Sequence, residues 1–494
     1  MEKKKAITDP DESGKMRQLL ATLIVNLSAL SYGTIAGWTS PVTPQLQSNG
    51  SPVGKTAMSD EAASWLTGAL CLGGILGTLL YNNITERFGR KLTGYLMSLP
   101  LGISWTIIIF ATEHSHLYIA RFLAGIGGAG SLFLVPLYVS EISSIGIRGM
   151  LGSLLVFILN LGLLLSYVLG PILSFRVFAT CALLLPLLFF GTFLFLPESP
   201  VYLVRQNRLL EATRSLLWLR GDDKSIVDSE IASLQIQAKE LRASSKSIGI
   251  SDLFRDRGTI KGLIIALGLF MGQQLCGIFA MMSYTESIFK TSGSSFSPST
   301  AVIIVGAIQL IGSYISTSLI ERMGRRPLIL ISCSGMCLCH YILGTFCFFQ
   351  DIQIDVSSFR WVPVVALSTY VIVYSLGMGP GPFIVTSEIF PRDISSLTTT
   401  IGLLSVWITA FLITKFFPNL IALLGMYGCF YLLGSFCALT FIFSFLLLPE
   451  TKGRTLDSIL NELNGAPHFL SDEKDHMAAP CTSSRDSTLN PQEV

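Results

Sequence analysis

Charge is scarce in this chain, and where it occurs it is knotted. ITERFGRK at Ile84–Lys91 crowds Glu86, Arg87, Arg90 and Lys91 together, and IERMGRR at Ile320–Arg326 repeats the arrangement with Glu321, Arg322, Arg325 and Arg326. Acids set close to arginines have one obvious chemistry, the making and breaking of ion pairs between elements that move apart. A second matched pair holds further partners: PLYVSEISSIGIRG at Pro136–Gly149 carries Glu141 and Arg148, and FIVTSEIFPRDISS at Phe383–Ser396 carries Glu388 and Arg392. A plainer reading makes the basic residues simple headgroup anchors. The acids Glu86, Glu141, Glu321 and Glu388 argue against it, because acids contribute little to membrane orientation; so do Gly89 and Gly324, which hold the same place in both copies.

The elements that must position these charges are long and apolar. Hydrophobic types make up 50% of the 494 residues and charged types 13%, against roughly 25% charged in an ordinary soluble domain. Apolar runs of about 20 residues recur, each long enough to cross a ~30 Å hydrocarbon core as a helix. Twelve are expected, near 18–39, 62–82, 92–112, 117–139, 149–170, 175–196, 260–281, 298–320, 327–348, 361–383, 396–418 and 425–447. The runs are continuous rather than alternating, which favours helices over barrel strands. Lys3, Lys4, Lys5, Lys15 and Arg17 share one side with the charge knots, whereas the opposite loops hold only Lys55, Arg176, Lys290, Arg360 and Lys415. The positive-inside rule then puts both termini in the cytoplasm.

On this topology the two knots fall at equivalent places, six runs apart. The expected architecture is an all-α membrane protein of two pseudo-symmetric six-helix bundles, residues 18–196 and 259–448, joined by a helical loop at 197–258 and flanked by segments 1–17 and 449–494. Parallel six-helix repeats with a site at their interface are a transporter layout. Within the loop, Ser199-Pro200 can start a helix, and 209–219 and 226–241 carry helical stripes that would brace the two halves. The stretch beyond Leu456, rich in Ser, Asp and Pro, reads as mostly disordered.

Taken with PESP (Pro197–Pro200), QQLCGI (Gln273–Ile278), GMGPGPF before SEIFP and PETKGRT (Pro449–Thr455), the repeated strings resemble the sugar porter family of the major facilitator superfamily across residues 18–456. Trp38–Pro41 and Asn160 are most similar to the facilitated trehalose transporter-like branch of insects. The resemblance implies a cytoplasmic latch formed by Arg87, Arg90, Glu141 and Arg148 in one half and Glu321, Arg322, Arg326, Glu388 and Arg392 in the other. Ser395 stands where relatives tend to carry a basic residue, which leaves Arg392 as the nearest substitute. It also implies sugar contacts at Gln273, Gln274, Gln309 and Trp407, with Asn160 beside them. Departures stand at Val156, Phe279, Phe383 and Val406, where the family carries polar side chains or tryptophan. A neutral hydrogen bond is worth a net ~0.5–1.5 kcal/mol, so three lost bonds weaken hexose binding by roughly one to three decades. The alternative for the two glutamines is an inter-helix polar bond of about 0.6 kcal/mol.

Proton-driven transport needs a titratable group near the solute, and intramembrane carboxylates cost ~2.5–3.5 kcal/mol to insert. Run 18–39 contains no acid, and the acids of the other runs lie at their ends, which points to facilitated diffusion. His340 reads as a packed residue bonded to a neighbouring helix. Gly125–Gly130 spells G-x-G-x-x-G inside an apolar run, where close helix packing is expected instead of nucleotide binding. Cys333, Cys337 and Cys339 fall on different helix faces, so no metal site is expected, and no cofactor. Asn49-Gly50-Ser51 is a glycosylation sequon on an outward loop, with Pro52 after it. Expected partners are the bilayer and a small sugar, with no nucleic acid, and a monomer suffices. The plasma membrane is the expected location. No nucleophile, base and acid converge in any loop, so an enzyme is not expected. Three functions stay open: a facilitative carrier of glucose or trehalose, a same-fold carrier of a less polar solute, and a non-transporting sensor, for which a much longer cytoplasmic tail would be expected.

Overall fold

A computed structural model describes residues 12–464 apart from 145, 245–252, 255, 294–295, 391 and 455. The described residues are helical, with no strand. The first half comprises α1 (Glu12–Gly37), α2 (Thr39–Leu46), α3 (Asp60–Phe88), α4 (Arg90–Ile109), α5 (His114–Ile142), α6 (Arg148–Ile172) and α7 (Phe175–Phe193). Three short helices follow, α8 (Pro200–Arg205), α9 (Leu209–Leu219) and α10 (Lys224–Ser244). The second half comprises α11 (Arg257–Leu275), α12 (Ile278–Ser292), α13 (Pro298–Met323), α14 (Arg325–Asp351), α15 (Val362–Val373), α16 (Gly381–Ile389) and α17 (Arg392–Leu447), and α18 (Leu456–Asn464) closes it.

Local chemistry sets many of these bounds. Ser59, Ser199, Asp256 and Ser297 each cap a helix by accepting the N–H three residues on, satisfying donors that the first turn cannot. Eleven helical stretches among the described residues are long and apolar enough to cross a membrane. The last, Leu397–Leu447, has 51 residues, about 77 Å of helix at 1.5 Å per residue. It is two arms, because Gly425 is non-helical at φ 71° and ψ 168°. Along the first arm Trp407 meets Thr78 and Lys415 meets Ser64, while along the second Tyr431 meets Thr345 and Phe445 meets Arg326. Counted as two crossings, α17 brings the spans to twelve.

We call the end that carries Arg17 and α18 the terminal end, and the opposite one, with α2 and Asp351, the far end. Inside the first half, α3 and α5 touch backbone to backbone. A Cβ on Gly73 would stand 1.9 Å from the Phe122 carbonyl oxygen, and one on Gly125 would stand 1.9 Å from that of Leu70. The G-x-G-x-x-G string is therefore a packing surface, as small residues between membrane helices commonly are.

The described residues refine two expectations. Among the described residues the polar contacts of the short helices go to the first half, with Arg17 on the Trp218 carbonyl, Gln18 on that of Leu219 and Arg220 on that of Ile142. The start of the tail is helical, because Ile459 and Leu463 bury an apolar stripe and Asn464 accepts the Gly258 N–H at 2.6 Å; residues 465–494 lie outside the described part.

Candidate functional site

At the terminal end the repeated strings build the same device twice. Gly89 ends α3 and opens α4 at φ 94°, and Gly324 does the same between α13 and α14 at φ 93°. Positive φ is one demand for glycine here, and space is the other. A Cβ on Gly89 would lie 2.5 Å from Glu198 Oε2, and one on Gly324 would lie 2.8 Å from Glu450 Oε2. Each carboxylate caps the helix start: Glu198 accepts the N–H groups of Arg90 and Lys91, both at 3.0 Å, and Glu450 those of Arg325 and Arg326 at 3.1 and 3.2 Å. Burial pushes the Glu198 carboxyl above the usual range, against the pull of the backbone N–H donors and Arg90.

Next to each cap an arginine crosses to another helix of its own half. Arg90, wholly buried, grips Glu141 of α5 through two bonds of 2.7 and 2.8 Å. Arg325 grips Glu388 of α16 at 2.8 Å, and Thr451 donates to the other Glu388 oxygen at 2.5 Å. The remaining expected latch residues do not join these pairs. Arg87 is exposed with its guanidinium 5.3 Å from the Phe88 ring, and Arg148 donates to the Ser143 carbonyl. Arg322 is exposed, its carbonyl accepting from Lys452, and Arg326 donates to the Phe445 carbonyl at 2.7 Å. The reason is geometric. Only the arginine directly after the glycine starts a helix aimed at the carboxylate, whereas its neighbours project to the rim. The side chains of Glu321 and Arg392 lie outside the described part.

At mid-depth the two halves meet on polar groups. The helix break that Gly277 imposes at φ 86° separates α11 from α12 and frees the Cys276 carbonyl, which accepts from His340 at 2.9 Å and Tyr370 at 3.0 Å. His340 is thus the packed, bonded residue expected. Just before the break, Gln273 donates to the carbonyls of Met378 and Gly379 at 2.9 and 2.7 Å. A π-helical turn at Tyr374–Met378 and the prolines after it leave those carbonyls outside the regular ladder. Gln274 donates to Gln273 at 3.1 Å, while its own Oε1 is buried with no hydrogen-bond partner.

Asn160 and Gln309 meet across the seam. Asn160 Nδ2 donates to Ser313 Oγ at 2.5 Å and its Oδ1 accepts from Gln309 at 3.2 Å. Trp407 reaches the first half by donating to Thr78 at 3.1 Å, and its ring takes Tyr32 and Phe279 edge-on at 6.4 and 6.1 Å. Val156 and Phe383 are 43% and 40% exposed, Phe383 edge-on to Phe270 at 5.0 Å. Phe279 and Trp407 are thus brought to the seam that the Asn160–Gln309–Ser313 bridge crosses, whereas Gln273 and Gln274 bond within the second half.

Towards the far end the seam closes. Glu286 N–H donates to Ser40 Oγ at 3.4 Å, and Tyr167 hydroxyl to the Met282 carbonyl at 3.1 Å. Lys415, expected in an outward loop, lies instead within α17, buried against α3 with Nζ 2.9 Å from Ser64 Oγ. Beyond this closure a cavity of about 990 Å³ opens between the halves, with Gln47 and Asp60 on one wall and Gln350 and Asp351 on the other. The residues not singled out from sequence are Glu198, Glu450, Ser313, Thr78 and Lys415. Only the two glutamates had a signal, the paired Pro-Glu-Ser and Pro-Glu-Thr strings.

Two helical halves that share a polar seam, narrow at one end and each with an internal ion-pair clamp at the other, define a multi-pass membrane protein of major facilitator architecture. Residues 21–463 match the family described as sugar (and other) transporter, and the chain belongs to that family. It is 32% identical over 449 residues to the facilitated trehalose transporter Tret1 of Apis mellifera ligustica, covering 91% of this chain and 88% of that protein. It is 33% identical over 455 residues to the protein of the same name from Anopheles gambiae, covering 92% of this chain and 57% of the mosquito protein's length. Among solved structures, the inward-open xylose transporter XylE from E. coli aligns with a TM-score of 0.73 at 21% identity, covering 90% of this chain and 99% of that one. The proton:xylose symporter XylE bound to 6-bromo-6-deoxy-D-glucose aligns with a TM-score of 0.72 at 23% identity over the same shares. At such identities the shared feature is the fold.

Proposed function

We propose that the chain is a facilitative carrier of a small sugar such as glucose or trehalose, working by alternating access in the plasma membrane with both termini in the cytoplasm. The observation that carries this reading is the mid-depth seam. Amides of Gln309 and Asn160, the Ser313 hydroxyl and the Trp407 ring meet there across the halves, α11 of the second half adds the amides of Gln273 and Gln274, and such a set suits hydroxyls and the C–H face of a sugar ring. A solute that bonds to Asn160 and Gln309 competes with the bond they make to each other, so binding loosens the halves where they must part. Names of the relatives in the family point the same way. Residues 18–46 contain no acid, which supports transport without a driving proton.

In this topology the far end is extracellular, and its contacts at Ser40, Ser64 and Tyr167 close that side. Asn49 is exposed there and available to carry a glycan, seen as a glycosidase-sensitive mobility shift that Asn49→Gln abolishes. A second reading, a carrier of a less polar solute, is favoured by Val156, Phe279 and Val406 standing where polar groups would serve a sugar better. Uptake of radiolabelled trehalose, glucose, polyols and apolar glycosides into proteoliposomes decides between them. Saturable downhill uptake of a sugar, unchanged by a protonophore, is the expected result. Uptake of apolar solutes alone would transfer the assignment to the second reading.

A further inference from the structure

Lys415 is a cation placed where a membrane protein has reason not to put one. It is 8% exposed and lies on the first arm of α17, in the seam between the halves. Its Nζ donates to Ser64 Oγ at 2.9 Å and stands 4.6 Å from the centre of the Trp65 ring, both on α3 of the other half. Trp65 in turn packs on Phe411 at 6.1 Å, one helical turn before the lysine. Among the described residues Lys415 makes no ion pair. A hydroxyl and an indole face compensate a dehydrated ammonium only in part. When the two halves separate at this end, water reaches the ammonium and that cost disappears.

We propose that Lys415 is a positioning residue of the far-end gate: its ammonium, cradled by Ser64 and Trp65 of the opposite half, sets how readily that end of the seam opens. The inference rests on the alternating-access reading above and not on the identity of the solute. It assigns opposite signs to changes on the two sides of one contact. Removing the charge while keeping the bulk, Lys415→Met, leaves a well-packed apolar contact and holds the gate shut. Removing the cradle, Trp65→Leu or Ser64→Ala, leaves the charge buried with less to hold it and loosens the gate.

Cys71 is the natural reporter. It is fully buried on α3, two turns inward from Ser64 on the same helix face, behind the closure. The full-length protein in proteoliposomes or cells is treated with a membrane-impermeant maleimide from the far-end side, and modification of Cys71 is read by peptide mass spectrometry. Lys415→Met is expected to slow modification roughly tenfold, and Trp65→Leu or Ser64→Ala to hasten it by a similar factor, the size expected for about 1.4 kcal/mol of gate energy. Lys415→Arg keeps the charge and is expected to label within about threefold of the parent. Faster or unchanged labelling in Lys415→Met, or the same direction of change from both sides of the contact, overturns the proposal. If Lys415→Met does not fold, the pair Ser64→Ala and Lys415→Arg still decides, since unchanged labelling in Ser64→Ala counts against it. The readout needs no solute, so failed sugar uptake beside opposite-signed labelling would remove the sugar assignment and leave the gate standing.

Discussion

The residues that matter most for local order are the two glutamates that hold helix starts. Glu198 accepts three backbone N–H groups, from Arg90, Lys91 and Ser199. Glu198→Ala is expected to cost about 1 kcal/mol, as lost helix caps do, read as a lower midpoint of thermal unfolding in detergent. The pH dependence has a definite sign. Because burial raises the Glu198 pKa in the fold, the folded state binds this proton more tightly than the unfolded chain. The contribution of this group to stability therefore falls as pH rises through the interval between the two values. Glu198→Gln, which keeps an acceptor oxygen without charge, is expected to retain the midpoint at neutral pH and to flatten its slope just above the ordinary glutamate range. In the seam, Gln274→Ala is expected to raise the half-saturation concentration for the transported sugar roughly 2- to 10-fold, the worth of one neutral hydrogen bond. Unchanged half-saturation would assign Gln274 to helix packing instead.

At the scale of elements, the helix pairs α4–α5 and α14–α16 are each clasped by one buried or half-buried arginine. Arg90 has an exposure of 0% and Glu141 of 8%. Breaking such a pair leaves a charge without its partner, at a cost of about 3–5 kcal/mol. Arg90→Gln is therefore expected to lower the unfolding midpoint sharply, whereas Arg87→Gln, at an exposed position outside the clasp, should stay within about 0.5 kcal/mol of the parent. Equal effects from the two arginines would show that the clasp is not what orders the terminal end. The comparison separates residues that look alike in the strings ERFGRK and ERMGRR.

Across the whole molecule, the proposed transport cycle depends on how the two halves touch. α3 and α17 meet at Gly74, where a Cβ would stand 2.4 Å from the Trp407 ring. That ring is buried and tied to Thr78, so it has little room to yield. Gly74→Val is expected to wedge the halves apart at mid-depth, at about 1–3 kcal/mol for overpacking, and to slow turnover. Spin-label distances between the halves test this: a changed distribution is expected, and an unchanged one would mean that Trp407 moves aside within its own half.

Much of this protein is written in its residue order. Hydropathy locates the spans, because lipid forces each backbone segment to satisfy its hydrogen bonds internally, while the break at Gly425 decides that the last apolar stretch is two arms. The duplication was legible in the two charge knots, and the packing role of Gly125–Gly130 in its apolar surroundings. Sequence could not say which arginine of each knot would be buried, because that depends on where the Glu198 and Glu450 loops return, more than one hundred residues away. Nor could it show that Asn160 and Gln309 bond to each other, or that Lys415 leaves the loop side and enters the seam. Those facts belong to contacts between distant segments. The energy of such a contact comes from the partner's position, and residue type restricts that position without determining it.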